Sequence, residues 1–352
     1  VTSLKRDFQG STSDNITLLF DTFHDGTNAY AFGMSPYGVQ RDILVSRSGA
    51  VFEGFNGTWD VKWVSESRMQ EDHYTLELAI PFHTMKFPEG SESWRFRSYR
   101  FDLQGRERST WVRVPQNQLL AHLAYMGELR FERPLGRSRT PVSLIPYVNG
   151  QVQRDFEIAE TARSVPVGGD AKFAIGNGLN LDLTLNPDFS QVEVDDILTN
   201  LTRFELLLPE KRQFFVDNSD LFATFGDYYD QARPFFSRRI GLSEDRDGNL
   251  IQNRILAGAR LSGKLNEQWR IGVLNIQTEE DGANGIPSAN NAMVALQRRM
   301  SERSALGVFW VNRQLASDAA DRSGDSPYNR VVGMDYDLAT ADNGWQGKFY
   351  LH

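Results

Sequence analysis

The sequence predicts an all-β protein, and three observations support this prediction. Apolar and polar residues alternate with a period of two in many short runs, whereas the longer period of an amphipathic helix is absent. Turn-forming pairs such as Asp25-Gly26 and Asn56-Gly57 separate these runs. The length of 352 residues is enough for two domains. We therefore expect a β-sandwich over residues 1–135, followed by part of an antiparallel β-barrel over residues 136–352.

The first part consists of short alternating runs that are typical of a β-sandwich. These runs are Ile16–Phe20, Ala29–Gly33, Ile43–Ser46, Val61–Val64, Tyr74–Ile80, Trp94–Phe101, Trp111–Val114 and Glu128–Phe131. The segment Arg133–Thr140 contains proline, glycine and three basic residues, as expected for a solvated linker. We expect the sandwich to begin before Val1.

The second part contains longer strands whose two faces differ sharply. Ile255, Ala257, Ala259 and Leu261 alternate with Arg254, Gly258, Arg260 and Ser262, and short turns and long polar loops connect the runs. This pattern is typical of an up-and-down barrel in an outer membrane, although a soluble antiparallel sandwich or a propeller has the same period. The chain stops at His352 within an apparent strand, so we expect further strands to follow.

Between two of these strands lies a segment in which ionisable and aromatic residues are mixed. The strand that precedes it, Asn180–Asn186, ends at Pro187 because proline has no amide to donate. The segment is too charged for an ordinary core and too apolar for a free linker. We expect residues 187–232 to form a plug-like insertion with polar surroundings, stabilised by a buried ionic network. The predicted members of this network are Arg203, Glu205, Glu210, Lys211 and Arg212.

The same region carries a family resemblance in five ordered blocks. They are Leu185–Asp188 with Phe189–Val192, Asn200–Glu205, Pro209–Phe215, Asp220–Phe222 and Ser237–Gly241. With these blocks the chain resembles bacterial outer-membrane barrel proteins in which a family-nine-type carbohydrate-binding domain precedes a large barrel domain of unknown function. The first part resembles the carbohydrate-binding domain through Leu19–Phe32, Trp59–Trp63 and Leu76–Phe82.

The resemblance implies a location in the bacterial outer membrane, with the first domain periplasmic or associated with the barrel. It also implies contact with membrane lipid and the binding or passage of glycan-type ligands. Two alternatives remain open: a hydrolase acting on glycosyl bonds, or its binding subunit, and a structural protein on which envelope or secretion partners dock.

Sugar rings pack on aromatic faces while neighbouring polar groups bind their hydroxyls. The residues that we predict to bind carbohydrate are Trp59, Trp94, Trp111, Arg97 and Arg100. The alternative for the tryptophans is a place in the core, because Trp59 and Trp63 share one strand face.

Other chemistry has weaker support in the sequence. Asp21, Asp25 and Asn28 offer oxygen ligands for calcium, although such residues beside glycine are also common turn formers. We expect no other cofactor. The sequence has no cysteine, no phosphate-binding or nucleophile-elbow motif and no carboxylate pair with a distinctive spacing, so an enzyme is not the favoured interpretation.

Charge and hydropathy exclude two further classes of protein. The net charge is −8, and residues 1–139 contain equal numbers of acidic and basic side chains, so the acidic excess follows Arg139. A nucleic-acid partner is therefore not expected. The sequence also has no run of eighteen apolar residues, which excludes a membrane-spanning helix.

Overall fold

The computed structural model describes residues 4–50, 52–136, 142–154, 161–176, 178–187, 210–226, 232–244, 250–301, 304–316, 326–340 and 344–352. The predicted all-β class is confirmed for these residues. Every strand pairing described below is antiparallel, and helices contribute only a few short turns.

Seven strands form the N-terminal sheet, and two more form a hairpin beside it. The strands are β1 (Asn15–Asp21), β2 (Ala29–Met34), β3 (Gln40–Val45), β4 (Phe55–Asn56), β5 (Val64–Met69), β6 (Tyr74–Ala79), β7 (Ser93–Asp102), β8 (Glu107–Thr110) and β9 (Gly127–Arg130). The sheet order is β4-β3-β2-β1-β7-β8, with β9 also paired to β7, while β5 and β6 pair with each other.

Both faces of the N-terminal sheet bury apolar side chains. Phe20 belongs to a cluster that contains Trp59 and Trp94 and packs against Leu76 of β6. Its neighbour Leu19 points the other way into a second cluster. Since successive strand residues face opposite sides, the alternation in β1 builds two cores instead of one.

Nine further strands form one continuous sheet. They are β10 (Ser143–Val148), β13 (Val167–Ile175), β14 (Leu179–Leu185), β17 (Ile255–Lys264), β18 (Trp269–Thr278), β19 (Ala289–Arg299), β20 (Ala305–Leu315), β21 (Tyr328–Ala339) and β22 (Gln346–Leu351). Their spatial order follows this sequence. Within the described residues β10 and β22 are the two ends of the order and do not pair, so closure into a barrel stays a prediction.

The remaining elements are short. They are the hairpin strands β11 (Gln151–Arg154), β12 (Thr161–Ser164), β15 (Leu242–Glu244) and β16 (Leu250–Gln252), the helices α1 (Gln213–Val216) and α2 (Asp220–Ala223), and 3₁₀ turns at Arg47–Gly49, Phe52–Gly54, Phe82–Thr84 and Ser237–Arg239. Among the described residues, no helix has the length and apolarity that crossing a membrane requires.

The nine-stranded sheet has an exposed face and a covered face. The exposed face carries large apolar side chains that are 37–69% accessible: Leu183, Leu185, Val294, Val308, Trp310, Val332, Met334, Phe349 and Leu351. The covered face buries polar and charged side chains, including Asp182, Thr184, Arg260, Ser262, Arg270, Thr278 and Asp335, together with apolar ones such as Leu274, Ile276, Met293 and Phe309. The exposed face therefore differs from that of an ordinary soluble antiparallel sheet, whose solvent side is polar.

Two parts of the chain lie on the covered face. One is the described stretch 210–226 of the predicted insertion, called here the inserted segment. The other is the N-terminal part, in which Lys86, between β6 and β7, donates through Nζ to Asn180 Oδ1 on β14 at 2.6 Å. Asn56 Nδ2 donates to Ser219 Oγ of the inserted segment at 3.1 Å. These contacts place the N-terminal sheet, the inserted segment and the nine-stranded sheet against one another.

An acidic group near the start of the chain gives a prediction about pH. Burial and the charges of Asp42 and Asp60 raise the pKa of Asp7 from 3.8 to about 6, although Arg6 and the Asp42 backbone amide oppose the shift. The folded state therefore holds this proton to a higher pH than the unfolded chain does. Ionisation of Asp7 thus lowers the free energy of unfolding as the pH rises from about 4 to about 6.

We expect Asp7→Asn to raise the thermal midpoint at about pH 7.5 and to change it much less at about pH 4, because the substitution removes the ionisation. Scanning fluorimetry at both pH values measures this difference. Glu71→Gln, at an exposed side chain, serves as the control and should be neutral at both. An Asp7→Asn effect of equal size at both pH values would show that ionisation is not its cause.

Candidate functional site

A cavity of about 370 Å³ lies between the N-terminal sheet and the covered face and is called here the interface cavity. Its lining residues come from the N-terminal part, the inserted segment and the nine-stranded sheet. They include Tyr30, Trp59, Lys86, Lys172, Asn180, Gln213, Asp217 and Lys264. Aromatic rings and hydrogen-bonding groups therefore meet in one space, which is the composition expected of a ligand site.

The carboxylates of this cavity are already engaged. Lys172 Nζ lies 2.6 Å from Asp217 Oδ2, and Asp60, the other lining carboxylate, lies 2.7 Å from Arg6 Nη2. A glycosidase needs one carboxyl group that stays protonated to act as the acid. Ion-paired carboxylates do not favour that role, and the hydrolase alternative stays a prediction.

The inserted segment is bound to the covered face by its carboxylates. Arg270 on β18 donates to Asp220 through Nη1 at 2.7 Å and Nη2 at 3.1 Å, a two-pronged contact that matches the planar geometry of both groups. Lys172 on β13 also pairs with a carboxylate of the segment, that of Asp217, through its single nitrogen. Asp217 and Asp220 thus each have a cation of the nine-stranded sheet as a partner.

Aromatic rings of the inserted segment lie directly over glycines of the sheet. A Cβ atom at Gly272 would come within 2.7 Å of Phe222 Cζ, and one at Gly307 within 2.8 Å of Phe225 Cε1. The closest ring approaches of this kind are Phe214 at Gly258, Phe222 at Gly272 and Phe225 at Gly307. Glycine is required at these positions because any side chain would displace the ring.

Part of the predicted ionic network is described by the structure. Glu210 Oε2 accepts from Arg212 Nη2 at 2.7 Å and from Ser237 Oγ at 2.7 Å. Arg212 also donates to the Ile240 carbonyl at 2.7 Å. Lys211 is half-buried beside this pair. The other two predicted members, Arg203 and Glu205, lie outside the described residues.

Two of the predicted carbohydrate-binding tryptophans lie in the core of the N-terminal part. Trp59 is 5% exposed and Trp94 is 1% exposed. Trp94 packs edge-on against Phe131 at 5.0 Å between ring centroids. Their rings are thus covered by protein, although Trp59 also borders the interface cavity.

The two predicted arginines also contact protein groups. Arg97 is fully buried and donates to the backbone oxygens of His122 at 3.3 Å and Val112 at 3.1 Å. Burial lowers the pKa of Arg97 to about 10. Arg100 lies at the surface and pairs with Asp102 at 2.9 Å.

Trp111 differs from the other predicted tryptophans because it is 58% exposed. One side of its ring lies on Gly127, where a Cβ atom would come within 2.6 Å of Trp111 Cζ3. The ring centroid is also 5.6 Å from that of Phe96. Trp111 is therefore an indole held in a fixed position at the surface, which is the arrangement that carbohydrate-binding aromatic residues need.

The predicted calcium ligands make protein contacts in the described structure. Asp21 accepts hydrogen bonds from backbone amides, including that of Gly26 at 2.8 Å, and Asp25 accepts from Lys264 Nζ. Burial raises the pKa of Asp25, but the charge of Lys264 outweighs it, so that the pKa falls to about 2. Asn28 lines the interface cavity.

The described residues contain no group of three or more metal-binding acidic or histidine side chains. The cation that the structure places on Asp25 is the ammonium of Lys264, and calcium at this turn stays a prediction.

Sequence reasoning missed a deeply buried ion pair of the covered face. Arg260 Nη2 donates to Asp182 Oδ2 at 2.9 Å, with both side chains almost fully buried. The two residues are direct cross-strand neighbours of β14 and β17. Both sit on the polar side of alternating strands, a signal visible in the sequence, but their pairing depends on the register across a long insertion.

Residues 139–302 match the family model of a domain of unknown function, DUF5916. The match includes strands β10 to β19 and the inserted segment. No match was found among curated proteins or among solved structures. The family match agrees with the predicted resemblance to a domain of unknown function, whereas the carbohydrate-binding and outer-membrane parts of that resemblance stay predictions.

Proposed function

We propose that the nine-stranded sheet is part of an outer-membrane β-barrel, and that the N-terminal part binds glycan-type ligands beside it. In this proposal the exposed face contacts lipid, while the covered face holds the inserted segment and the N-terminal sheet. The observation that carries the proposal is the row of exposed apolar side chains described above.

The size and position of this row support a lipid-facing surface. Soluble monomers rarely expose a continuous apolar patch larger than a few hundred Å². Here Leu296, Val308 and Met334 lie side by side on three adjacent strands. Polar side chains of the same face, such as Asn275 and Asn312, follow towards one end of the strands. An apolar band with polar ends is expected where strands cross a bilayer.

The buried ion pairs support the same proposal from the other side of the sheet. Charged groups are tolerated inside a membrane protein when they face its interior and pair with one another. Arg260 with Asp182 and Arg270 with Asp220 meet both conditions.

The membrane part of the proposal is tested on the full-length protein expressed in a bacterium with an outer membrane. We expect the protein to require detergent for extraction and to migrate faster on a gel when it is not heated, because barrel strands resist unfolding. High salt without detergent should leave it in the membrane fraction. A protein that stays in solution without detergent and migrates as one band under both conditions would exclude the proposal.

Trp111 supports the glycan part of the proposal. We expect Trp111→Ala to weaken the binding of oligosaccharides found on a glycan array by about tenfold or more, because the exposed ring provides the packing surface. Tyr37→Ala, at another exposed aromatic residue, is the matched control and should bind normally.

Titration of the best array oligosaccharide against both variants measures this difference. The absence of any binding by the wild type would instead favour the docking alternative. Equal affinities of wild type and Trp111→Ala would remove Trp111 from the site.

A further inference from the structure

A second cavity, of about 500 Å³, lies on another side of the inserted segment. It is bounded by the stretch around Arg47 and Asn56 of the N-terminal part, by the inserted segment and by the covered face. Phenylalanine rings form much of its wall: Phe52, Phe55, Phe215, Phe222, Phe225 and Phe235. This volume and this apolar lining suit a small organic molecule.

One polar group at this cavity has an unused hydrogen-bonding capacity. Arg260 lines the cavity and is 1% exposed. Its Nε and Nη2 both donate to Asp182, but the buried Nη1 has no hydrogen-bond partner. A buried donor without a partner costs free energy that a ligand oxygen would recover.

The acidic groups of the wall are neutralised within the protein. Glu210 is paired with Arg212, and Asp220 is paired with Arg270. Since these carboxylates have their own cations, they do not oppose a negative group beside Arg260.

We propose that this second cavity binds a small carboxylate with an aromatic or other apolar body, and that a carboxylate oxygen accepts a hydrogen bond from Arg260 Nη1. The phenylalanine rings would pack against the apolar body. This site is separate from Trp111 and does not depend on glycan binding.

The test uses the full chain in detergent-free lipid nanodiscs, with phenylacetate as the probe and isothermal titration as the measurement. We expect saturable binding of phenylacetate, and binding of phenylacetamide that is weaker by about tenfold or more, since hydrogen bonds to charged groups are the stronger ones. Equal affinities for the acid and the amide, or no saturable binding of phenylacetate, would overturn the proposal.

Two variants locate the binding. The double variant Arg260→Met/Asp182→Leu replaces the ion pair with apolar residues of similar size and should remove the preference for the acid. Ala223→Leu narrows the cavity without touching the pair, and should weaken phenylacetate binding by about tenfold. Ala223→Leu decides the question if the double variant does not fold. Unchanged affinity in Ala223→Leu would place the binding elsewhere and overturn the proposal.

Discussion

Val308→Lys is expected to destabilise the protein in a bilayer by about 2–4 kcal/mol, because a cation near the middle of the apolar band would have to leave water. Val308 is 43% exposed and lies between Leu296 and Met334 on the neighbouring strands. If this face met water instead, a lysine at so exposed a position would change the stability by no more than about 0.5 kcal/mol. Urea unfolding in phospholipid vesicles, followed by tryptophan fluorescence, measures the difference.

The control for this substitution places the same charge on the same face but at a polar position. Asn275→Lys on β18 should cost about 0–1 kcal/mol, as expected near the surface of a bilayer. Val308→Thr keeps the side-chain volume and adds no charge, so its cost should be much smaller than that of lysine. Equal and small effects of both lysines would mean that the exposed face is in water.

The strands themselves were predictable from the sequence, but the face on which each side chain lies was not always so. Alternation predicts that Ile255 and Ala257 share one face of β17. The structure instead has a register shift between Ile255 and Ala257, and Ile255 is 4% exposed within the cluster that includes Phe214. A bulge adds one residue to one strand and reverses the sides of those before it, and its trace in the sequence is the apolar pair Ile255-Leu256, which interrupts the alternation.

The site was less predictable than the strands. Sequence alone could not distinguish Trp94, which is buried, from Trp111, which is exposed, because both border charged strands and both faces of the N-terminal sheet are apolar. The long insertion between β14 and β17 hides the register that joins Asp182 to Arg260. Hydrophobic periodicity identifies strands, whereas pairing across long connections depends on tertiary structure.

Asp220→Asn is expected to lower the free energy of unfolding by about 3 kcal/mol, because it leaves the buried guanidinium of Arg270 without its carboxylate. Arg270 is 8% exposed, and Asp220 accepts from it through both oxygens. Asparagine has nearly the same shape, so the loss reports the charge and not a cavity. Urea unfolding in vesicles measures the change.

Two comparisons separate this effect from a general weakness of the fold. Glu279→Gln breaks the pair between Glu279, which is 42% exposed, and Arg254, which is 53% exposed. Because this pair is at the surface, its loss should cost only about 0–1 kcal/mol. The double variant Asp220→Leu/Arg270→Met replaces both charges and should be markedly more stable than Asp220→Asn, since no unpaired charge remains buried. If Asp220→Asn costs no more than Glu279→Gln, the pair does not hold the inserted segment on the covered face. In that case the phenylalanine rings that pack on glycines of the sheet, and not the charges, would account for the position of the inserted segment.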